Sequence, residues 1–312
     1  MILTVTLNSG VDKVLLVDEF LPGLPVNARK VVNSVGGKGL DVSVVLRHLG
    51  VETTGLAFVA GETGRILAGL LDDYGILPEL VWVEGETRTC YVIAESKPGR
   101  VSHIKNGALH ISSQHVDQFL RAYQIHLLKT DWVVCSGSIP PALPESFYKG
   151  LVQSAVQAGV KVLVDSTQKA LLSTLPYHPT ILKMNWDEFK WTFQVKADTF
   201  EELIPKARQA AAQHSIPNLV ITCGSEGILA ITQTGSFVAR APEQPAVNAA
   251  GAGDGASAAI VWRLSLGDPW PEALKWAAAV SAAVVLTEGT ADCRVSDVNA
   301  IFPKTEVELL KT

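Results

Sequence analysis

The stretch Asn248-Ala-Ala-Gly-Ala-Gly-Asp-Gly-Ala-Ser-Ala-Ala-Ile260 decides how the rest of the chain is read. Gly251, Ala252 and Gly253 are small enough to let successive backbone N–H groups converge on one point. Asp254 then opens an apolar run, Ala256 to Leu266, that predicts a buried helix. The first N–H groups of a helix lack intrahelical acceptors and lie at the positive end of its dipole, so a small-residue loop there makes a cradle for phosphate or for developing negative charge. The same field is expected to keep the Asp254 carboxylate ionised. A carboxylate beside an anion cradle suits phosphoryl transfer, supplying a base for an alcohol proton and donors for the charge that builds on the transferred group. A tight turn with a helix-start Asp accounts for the same letters, so the remaining chain has to decide.

With 312 residues, 47% hydrophobic and 18% charged, the chain has enough apolar material for one large α/β domain or for a core with a small appendage. A net charge of -5 and the lack of any basic stripe exclude a nucleic-acid partner. Cys90, Cys135, Cys223 and Cys293 lie far apart with no CxxC spacing, which points to reduced thiols in a cytoplasmic protein rather than zinc or disulfides. The opening M-I-L-T-V-T-L-N lacks a basic n-region and reads as a first strand, and the longest apolar stretch, Trp276 to Leu286, is too short to span a bilayer. The histidines show no metal-like pairing.

Ile2 to Leu7 predicts a strand ending at the turn Asn8-Ser9-Gly10, which puts Asp12 just past a strand's carboxyl end, where α/β proteins gather ligand-binding groups. Val35-Gly36-Gly37-Lys38-Gly39-Leu40-Asp41 leads into a helix over 42–49; its glycines let backbone approach a ligand while the ammonium points at it. It is not a P-loop, because G-x-x-x-x-G-K-[ST] occurs nowhere in the chain. A strand over 53–60 and a helix over 62–74 follow. Strands at 90–94 and 100–104, broken at Pro98-Gly99, predict a hairpin apart from the parallel core, so residues 12–33 and 86–106 are assigned to a small β lid.

From Ser112 the pattern becomes regular. Helices over 112–129, 145–158 and 200–214, with one starting at Asp187, alternate with strands over 132–135, 161–165, 180–183 and 219–223. Thr199-x-x-Glu202 reads as a capping box. Such alternation means a parallel sheet covered on both faces. The turns Ser136-Gly137-Ser138, Lys183-Met184-Asn185-Trp186-Asp187-Glu188 and Thr222-Cys223-Gly224-Ser225-Glu226-Gly227 then share one edge of one sheet, which makes a single site.

Taken together, Gly36-Gly37-Lys38-Gly39, Arg88, Ser136-Gly137-Ser138-Ile139-Pro140, Asn185-x-x-Glu188, Thr222-x-Gly224-x-Glu226-Gly227 and Gly251-Ala252-Gly253-Asp254 resemble the ribokinase-like, PfkB-type carbohydrate kinases. The opening T-L-N-x-x-x-D and the G-G-K-G form are similar to the branch holding 1-phosphofructokinase and tagatose-6-phosphate kinase. The resemblance runs from residue 3 to about 300. It implies a single ribokinase-like domain over 1–312, an α/β/α sandwich with a mostly parallel central sheet and a β-sheet lid that often mediates homodimers. It also implies ATP and Mg2+ as cofactors, and a sugar or sugar-phosphate acceptor. On this resemblance Asp254 is the catalytic base and Gly251, Ala252 and Gly253 the anion hole. Asp12, Gly37, Lys38, Arg88 and Ser138 would hold the acceptor, with Asp41 beside them. Lys183, Asn185, Thr222, Cys223, Gly224, Ser225, Glu226, Gly227 and Gly253 would contact the nucleotide, while Asn185 and Glu188 would organise magnesium through water.

The departures fall mostly on the acceptor side. Asp41 stands where the family usually has Asn, and Lys105-Asn106-Gly107-Ala108-Leu109 where the branch usually has Asn-Glu-Pro-Gly-Pro; Ala142, Met184 and Gly255 replace a common Gly, Pro and Ser. An Asp at 41 changes the charge beside Lys38 by one unit. The expected activity is MgATP-dependent phosphorylation of fructose 1-phosphate, fructose 6-phosphate or tagatose 6-phosphate. A kinase for an unphosphorylated sugar or nucleoside, and a catalytically weak sugar-phosphate sensor, stay open as alternatives.

Overall fold

In the computed structural model, which describes residues 1–97 and 99–311, fourteen strands and ten α-helices form two sheets with helical layers. The strands are β1 Ile2–Thr6, β2 Gly10–Val17, β3 Lys30–Gly36, β4 Thr53–Val59, β5 Leu77–Trp82, β6 Glu84–Glu95, β7 Arg100–His110, β8 Trp132–Ser136, β9 Lys161–Asp165, β10 Ile181–Asn185, β11 Leu219–Thr222, β12 Ile228–Thr232, β13 Gly235–Arg240 and β14 Glu306–Leu310. The helices are α1 Lys38–His48, α2 Gly61–Asp73, α3 Ser113–Leu127, α4 Phe147–Gln157, α5 Gln168–Leu172, α6 Trp186–Phe193, α7 Phe200–Gln213, α8 Ala252–Ser265, α9 Trp270–Val284 and α10 Val295–Ile301.

The large sheet runs β14-β13-β12-β11-β10-β9-β8-β1-β4-β5, parallel from β5 to β11 and antiparallel through β12, β13 and β14. Its parallel centre is apolar on both faces, as a sheet covered by helices must be. Leu3 and Val5 of β1, with Val133 and Cys135 of β8, pack into the layer of α3, α4, α6 and α7. Ile2, Trp132 and Val134 point the other way, toward α1, α8, α9 and α10. The chain leaves β1 for β4 on one side and later returns as β8 on the other, so the crevice beyond the carboxyl ends of β1 and β8 is the switch point where such sheets bind ligands.

The second sheet, β3-β2-β6-β7, is the small β layer expected from the sequence, and the α/β/α class with a mostly parallel core is as expected. Its construction differs. The expected hairpin is β6–β7, and it is extended to a four-stranded sheet by β2, which pairs β6 in parallel, and by β3. Asp12 therefore lies inside β2 rather than in a turn after β1. Of the expected break at Pro98-Gly99, Pro98 lies outside the described residues. Four strands of the large sheet escaped the sequence reading. β5 carries a proline and has exposed residues at the sheet edge, and β12 to β14 are antiparallel additions beyond the alternating pattern. The capping expectation at α7 holds in half: the Thr199 side chain accepts from the Glu202 N–H, but the Glu202 carboxylate turns to the Asp198 N–H. Among the described residues no helix is long and apolar enough to cross a membrane.

Candidate active site

The glycines of the two motifs do different work from one another. Gly39 lets α1 start against β1, since a Cβ there would lie 2.6 Å from the Val5 carbonyl oxygen, and Gly36 admits the Asp12 carboxylate, which a Cβ would meet at 2.3 Å. Only Gly37 of the three faces the cleft. On the other motif Gly251 has φ 85°, and a Cβ would lie 2.3 Å from the Ala291 nitrogen, so it allows the 287–293 segment to cross the start of α8. Gly253 makes room for the Lys183 ammonium, 2.9 Å from where its Cβ would be. Close approach of protein to protein, more than of backbone to ligand, thus sets most of these positions.

These approaches build a cleft of about 340 Å³ at the carboxyl edge of the large sheet, roofed by the second sheet. Of the residues singled out in the sequence it gathers Asp12, Gly37, Lys38, Asp41, Arg88, Lys183, Asn185, Glu188, Thr222, Gly251, Gly253 and Asp254. A second groove of about 390 Å³ shares Asn185 and Thr222 with it and adds Trp186, Lys190, Cys223 and Gly224. Ser138, Ala252, Ser225, Glu226 and Gly227 line neither. Ser138 accepts a hydrogen bond from Asn8 at 3.1 Å, the Ala252 carbonyl accepts from Ser281 at 2.7 Å, and Gly227 lets the Ala239 carbonyl close in. Cys223 donates its thiol to the Ile221 carbonyl, and burial pushes that thiol up to about 12, so it packs rather than reacts.

The centre of the charge arrangement is Asp165, which the sequence reading left as the end of a strand. Its side chain is wholly buried, and its two oxygens accept from Lys38 Nζ at 2.9 Å and Lys183 Nζ at 2.7 Å. Ser257 of α8 donates to it at 3.3 Å. Burial pushes the Asp165 carboxyl up, but the Lys183 and Lys38 ammoniums outweigh it and bring it down to about 2. The rule that found the other turns, carboxyl ends of strands in one sheet, would have found Asp165 had it been applied to β9.

Lys38, expected to face an anionic acceptor, lines the cleft with its ammonium between Asp165 and Glu188 Oε1, the latter at 3.0 Å. Burial works against its charge, but the Asp165, Glu188 and Asp254 carboxylates hold its pKa above the ordinary lysine value. Asn185 and Glu188 form a reciprocal cap on α6: Asn185 Oδ1 accepts the Glu188 N–H and Glu188 Oε2 accepts the Asn185 N–H, both at 2.8 Å. Among the described residues no cluster of three acidic, His or Cys side chains forms a metal cage. A carboxylate already shared with a lysine and a backbone N–H fits a hydrated cation carried mainly by substrate phosphates, the usual habit of Mg2+.

Asp254 sits in the first turn of α8 with Oδ1 buried and without a hydrogen-bond partner. The expectation that the helix field keeps it ionised is corrected here. Burial and the Asp165 charge raise its pKa to about 7, against the pull of Lys38 and Lys183, so it titrates near neutrality. A desolvated carboxyl poised near the working pH is what a general base requires. Asp41, 4% exposed, also leaves Oδ1 unpartnered. It neither caps α1 nor pairs with Lys38; burial, then Asp254 and Asp12, push its carboxyl well above the ordinary carboxylate range, against the pull of Arg88 and Lys38. Burial raises Asp12 as well, although Thr290 donates to its Oδ2 at 3.0 Å. Lys105 of the departing segment also lines the cleft, as do Ala250, Thr290, Cys90 and His103, which were not given a role because nothing local in the sequence marks them.

Comparison with known proteins agrees with this construction. The chain is 29% identical over 300 residues to a D-tagatose-1-phosphate kinase of Bacillus licheniformis, covering 96% of this chain and 97% of the relative. It is 30% identical over 313 residues to a 1-phosphofructokinase of Borreliella burgdorferi, covering the whole of both. A crystal structure described as a possible 1-phosphofructokinase from Thermotoga maritima superposes over both full chains with a TM-score of 0.90 at 28% identity. The description "pfkB family carbohydrate kinase" matches residues 6–297, nearly the full length of a chain whose cleft places a buried carboxyl at a helix start beside two lysines, and the protein belongs to that family.

Proposed function

We propose that the protein transfers the γ-phosphoryl group of ATP to a hydroxyl of a phosphorylated ketohexose. The observation that carries this reading is Asp254: a buried carboxyl with a free oxygen, held at the N-terminus of α8 and facing the cleft. The acceptor class is supported by the relatives named for fructose 1-phosphate and tagatose 1-phosphate chemistry.

In the proposed reaction the ionised Asp254 takes the acceptor hydroxyl proton as that oxygen bonds to the γ-phosphorus; the bond from phosphorus to the β–γ bridging oxygen breaks and ADP leaves. N–H groups at the start of α8 and the Lys38 and Lys183 ammoniums offset the charge on the transferred group. Asp165 holds both ammoniums, so they keep their places as that charge grows. Asn185 and Glu188 are the residues suited to a hydrated Mg2+, which when bound neutralises nucleotide phosphate charge. The groove around Trp186, Thr222 and Gly224 is assigned to the nucleotide. The chain acts in this reading as one kinase domain with the second sheet as its lid. The exposed Val31 and Ile104 on the lid face away from the cleft support a homodimer, which light scattering of the purified protein would reveal or refute.

The decisive experiment is an ADP-release assay over fructose, tagatose, their 1- and 6-phosphates, and nucleosides. A preference for a ketohexose phosphate is expected. A preference for a free sugar or nucleoside would overturn the acceptor class while leaving the kinase assignment standing, and ADP release with none of them would favour a sensor.

A further inference from the structure

Residues 287–292, Thr-Glu-Gly-Thr-Ala-Asp, lead from α9 toward α10 without regular structure, yet Thr287, Gly289, Thr290 and Ala291 are buried. A buried loop has to satisfy its polar groups against the rest of the protein, and here the partners come from both sides of the cleft. Toward the lid, the Thr290 N–H donates to Ser34 Oγ at 3.1 Å and Thr290 Oγ1 donates to Asp12 Oδ2 at 3.0 Å. Ser34 and Asp12 stand opposite each other on β3 and β2, so Thr290 grips one cross-strand pair. Glu288 pairs with Lys30 of β3.

Toward α8, the Ala291 N–H donates to the Ala250 carbonyl at 3.1 Å, at the crossing that Gly251 permits. Asn248 fastens the same crossing from behind. It is 1% exposed and lies outside the cleft. Its Nδ2 donates to the Glu288 carbonyl at 3.1 Å and the Gly289 carbonyl at 3.4 Å, while its Oδ1 accepts the Ala250 N–H at 3.0 Å. One amide therefore binds the 287–292 segment through its donors and the loop that opens α8 through its acceptor, a division of labour that an ionised carboxylate does not offer. Thr287 Oγ1 closes the segment on itself, 2.9 Å from both the Val284 and Asp292 carbonyl oxygens. Buried and fully bonded, the segment moves as one piece.

We propose that residues 287–292 form a strap that keeps Asp12 under the lid in register with the N–H cradle at the start of α8, with Asn248 and Thr290 as its positioning residues. This rests on the kinase reading above, with Asp12 as an acceptor contact, and adds what holds the two reactants to one another. The carboxylate that faces the acceptor and the donors that face the transferred phosphoryl group hang on the same piece of chain. Asn248 acts through that piece and not on either substrate.

The test measures kcat, acceptor KM and melting temperature on fructose, fructose 1-phosphate, fructose 6-phosphate and tagatose 6-phosphate. The proteins are wild type, Asn248→Ala, Thr290→Val, Thr290→Ser and the Asn248→Ala/Thr290→Val double variant. Asn248→Ala should lower kcat by about 10- to 100-fold through misplaced cradle donors. It should also raise acceptor KM by about 3- to 10-fold, although it touches no acceptor. Thr290→Val should lower kcat as well as raise KM, and Thr290→Ser, which keeps the hydroxyl, should recover most of both. Because the two variants cut one strap, the loss of kcat/KM in the double variant should fall short of the product of the single losses by more than about two-fold. Losses that multiply to within about two-fold, or an Asn248→Ala protein that melts lower yet keeps wild-type kcat and KM, overturn the strap and leave the function intact. Should Asn248→Ala not fold, the Thr290 pair decides: a hydroxyl that served Asp12 alone would move KM only, so equal kcat in Thr290→Val and Thr290→Ser overturns the strap. A wild type that phosphorylates none of the four sugars overturns both the strap and the reading beneath it.

Discussion

Replacing Asp165 by Asn removes the one carboxylate that both cleft lysines share. The two lysines then fare differently. Lys38 keeps Glu188 at 3.0 Å and a third of its side chain reaches solvent, whereas Lys183 is 3% exposed and among the described residues has Asp165 as its sole carboxylate partner. The cost therefore falls on Lys183, left buried without a counter-charge. Breaking a buried pair by removing one partner costs about 3–5 kcal/mol, which for a chain of this size lowers Tm by roughly 5–8 °C. The carboxylate's own contribution is smaller. The folded pKa of Asp165 is depressed from 3.8 to about 2, so its contribution is fully present above 3.8 and is lost as pH falls through about 2. That difference is worth only about 2 kcal/mol. The stranded ammonium, not the lost carboxylate, thus dominates the expected effect. Calorimetric melting at neutral pH of Asp165→Asn, Lys183→Met and the double variant checks this. The double variant should be more stable than Asp165→Asn alone, because it removes the stranded charge. Removing Asp165 also lifts one of the three influences that raise Asp254, the others being burial and Glu188, so the pH profile of kcat/KM should move to lower pH. A melting temperature for Asp165→Asn within about 2 °C of wild type, or a double variant no better than the single, would refute the reasoning.

Three further outcomes follow from the same geometry. Asp254→Asn should lower kcat by about 10²- to 10⁴-fold while ATP binding by calorimetry persists, and wild-type kcat/KM should rise with pH through about 7 as the base ionises; a flat profile would remove Asp254 from that role. Because Asp41 is raised well above an ordinary carboxyl, wild type and Asp41→Asn should share one acceptor preference at low pH and diverge as pH climbs, the wild type losing phosphorylated acceptors by at least about five-fold once the charge appears. Parallel curves for the two proteins would show that Asp41 does not face the acceptor. Gly251→Ala should cost about 1–3 kcal/mol through its left-handed backbone and displace Ala291, and with it Thr290 and Asp12, raising acceptor KM; unchanged melting and KM would contradict the packing argument.

The sequence alone determined the parallel α/β core, because fully buried strands between amphipathic helices write a pattern with a period. It also marked the helix start at Asp254 and the glycine-rich turn at Lys38, since both depend on residues adjacent in the chain. It did not reveal β12, β13 and β14, which add antiparallel strands beyond the repeating unit, or the parallel pairing of β2 with β6, whose partners are far apart in sequence. Nor could it settle charge. Whether Lys38 serves an acceptor or a buried Asp165, whether Asp254 is ionised, and whether Asp41 is an anion or a neutral acid depend on burial and on neighbours brought from other strands. Local letters specify which groups are present; only the tertiary structure decides which charges cancel and which are left for a ligand, because desolvation and Coulomb interaction act through space and not along the chain.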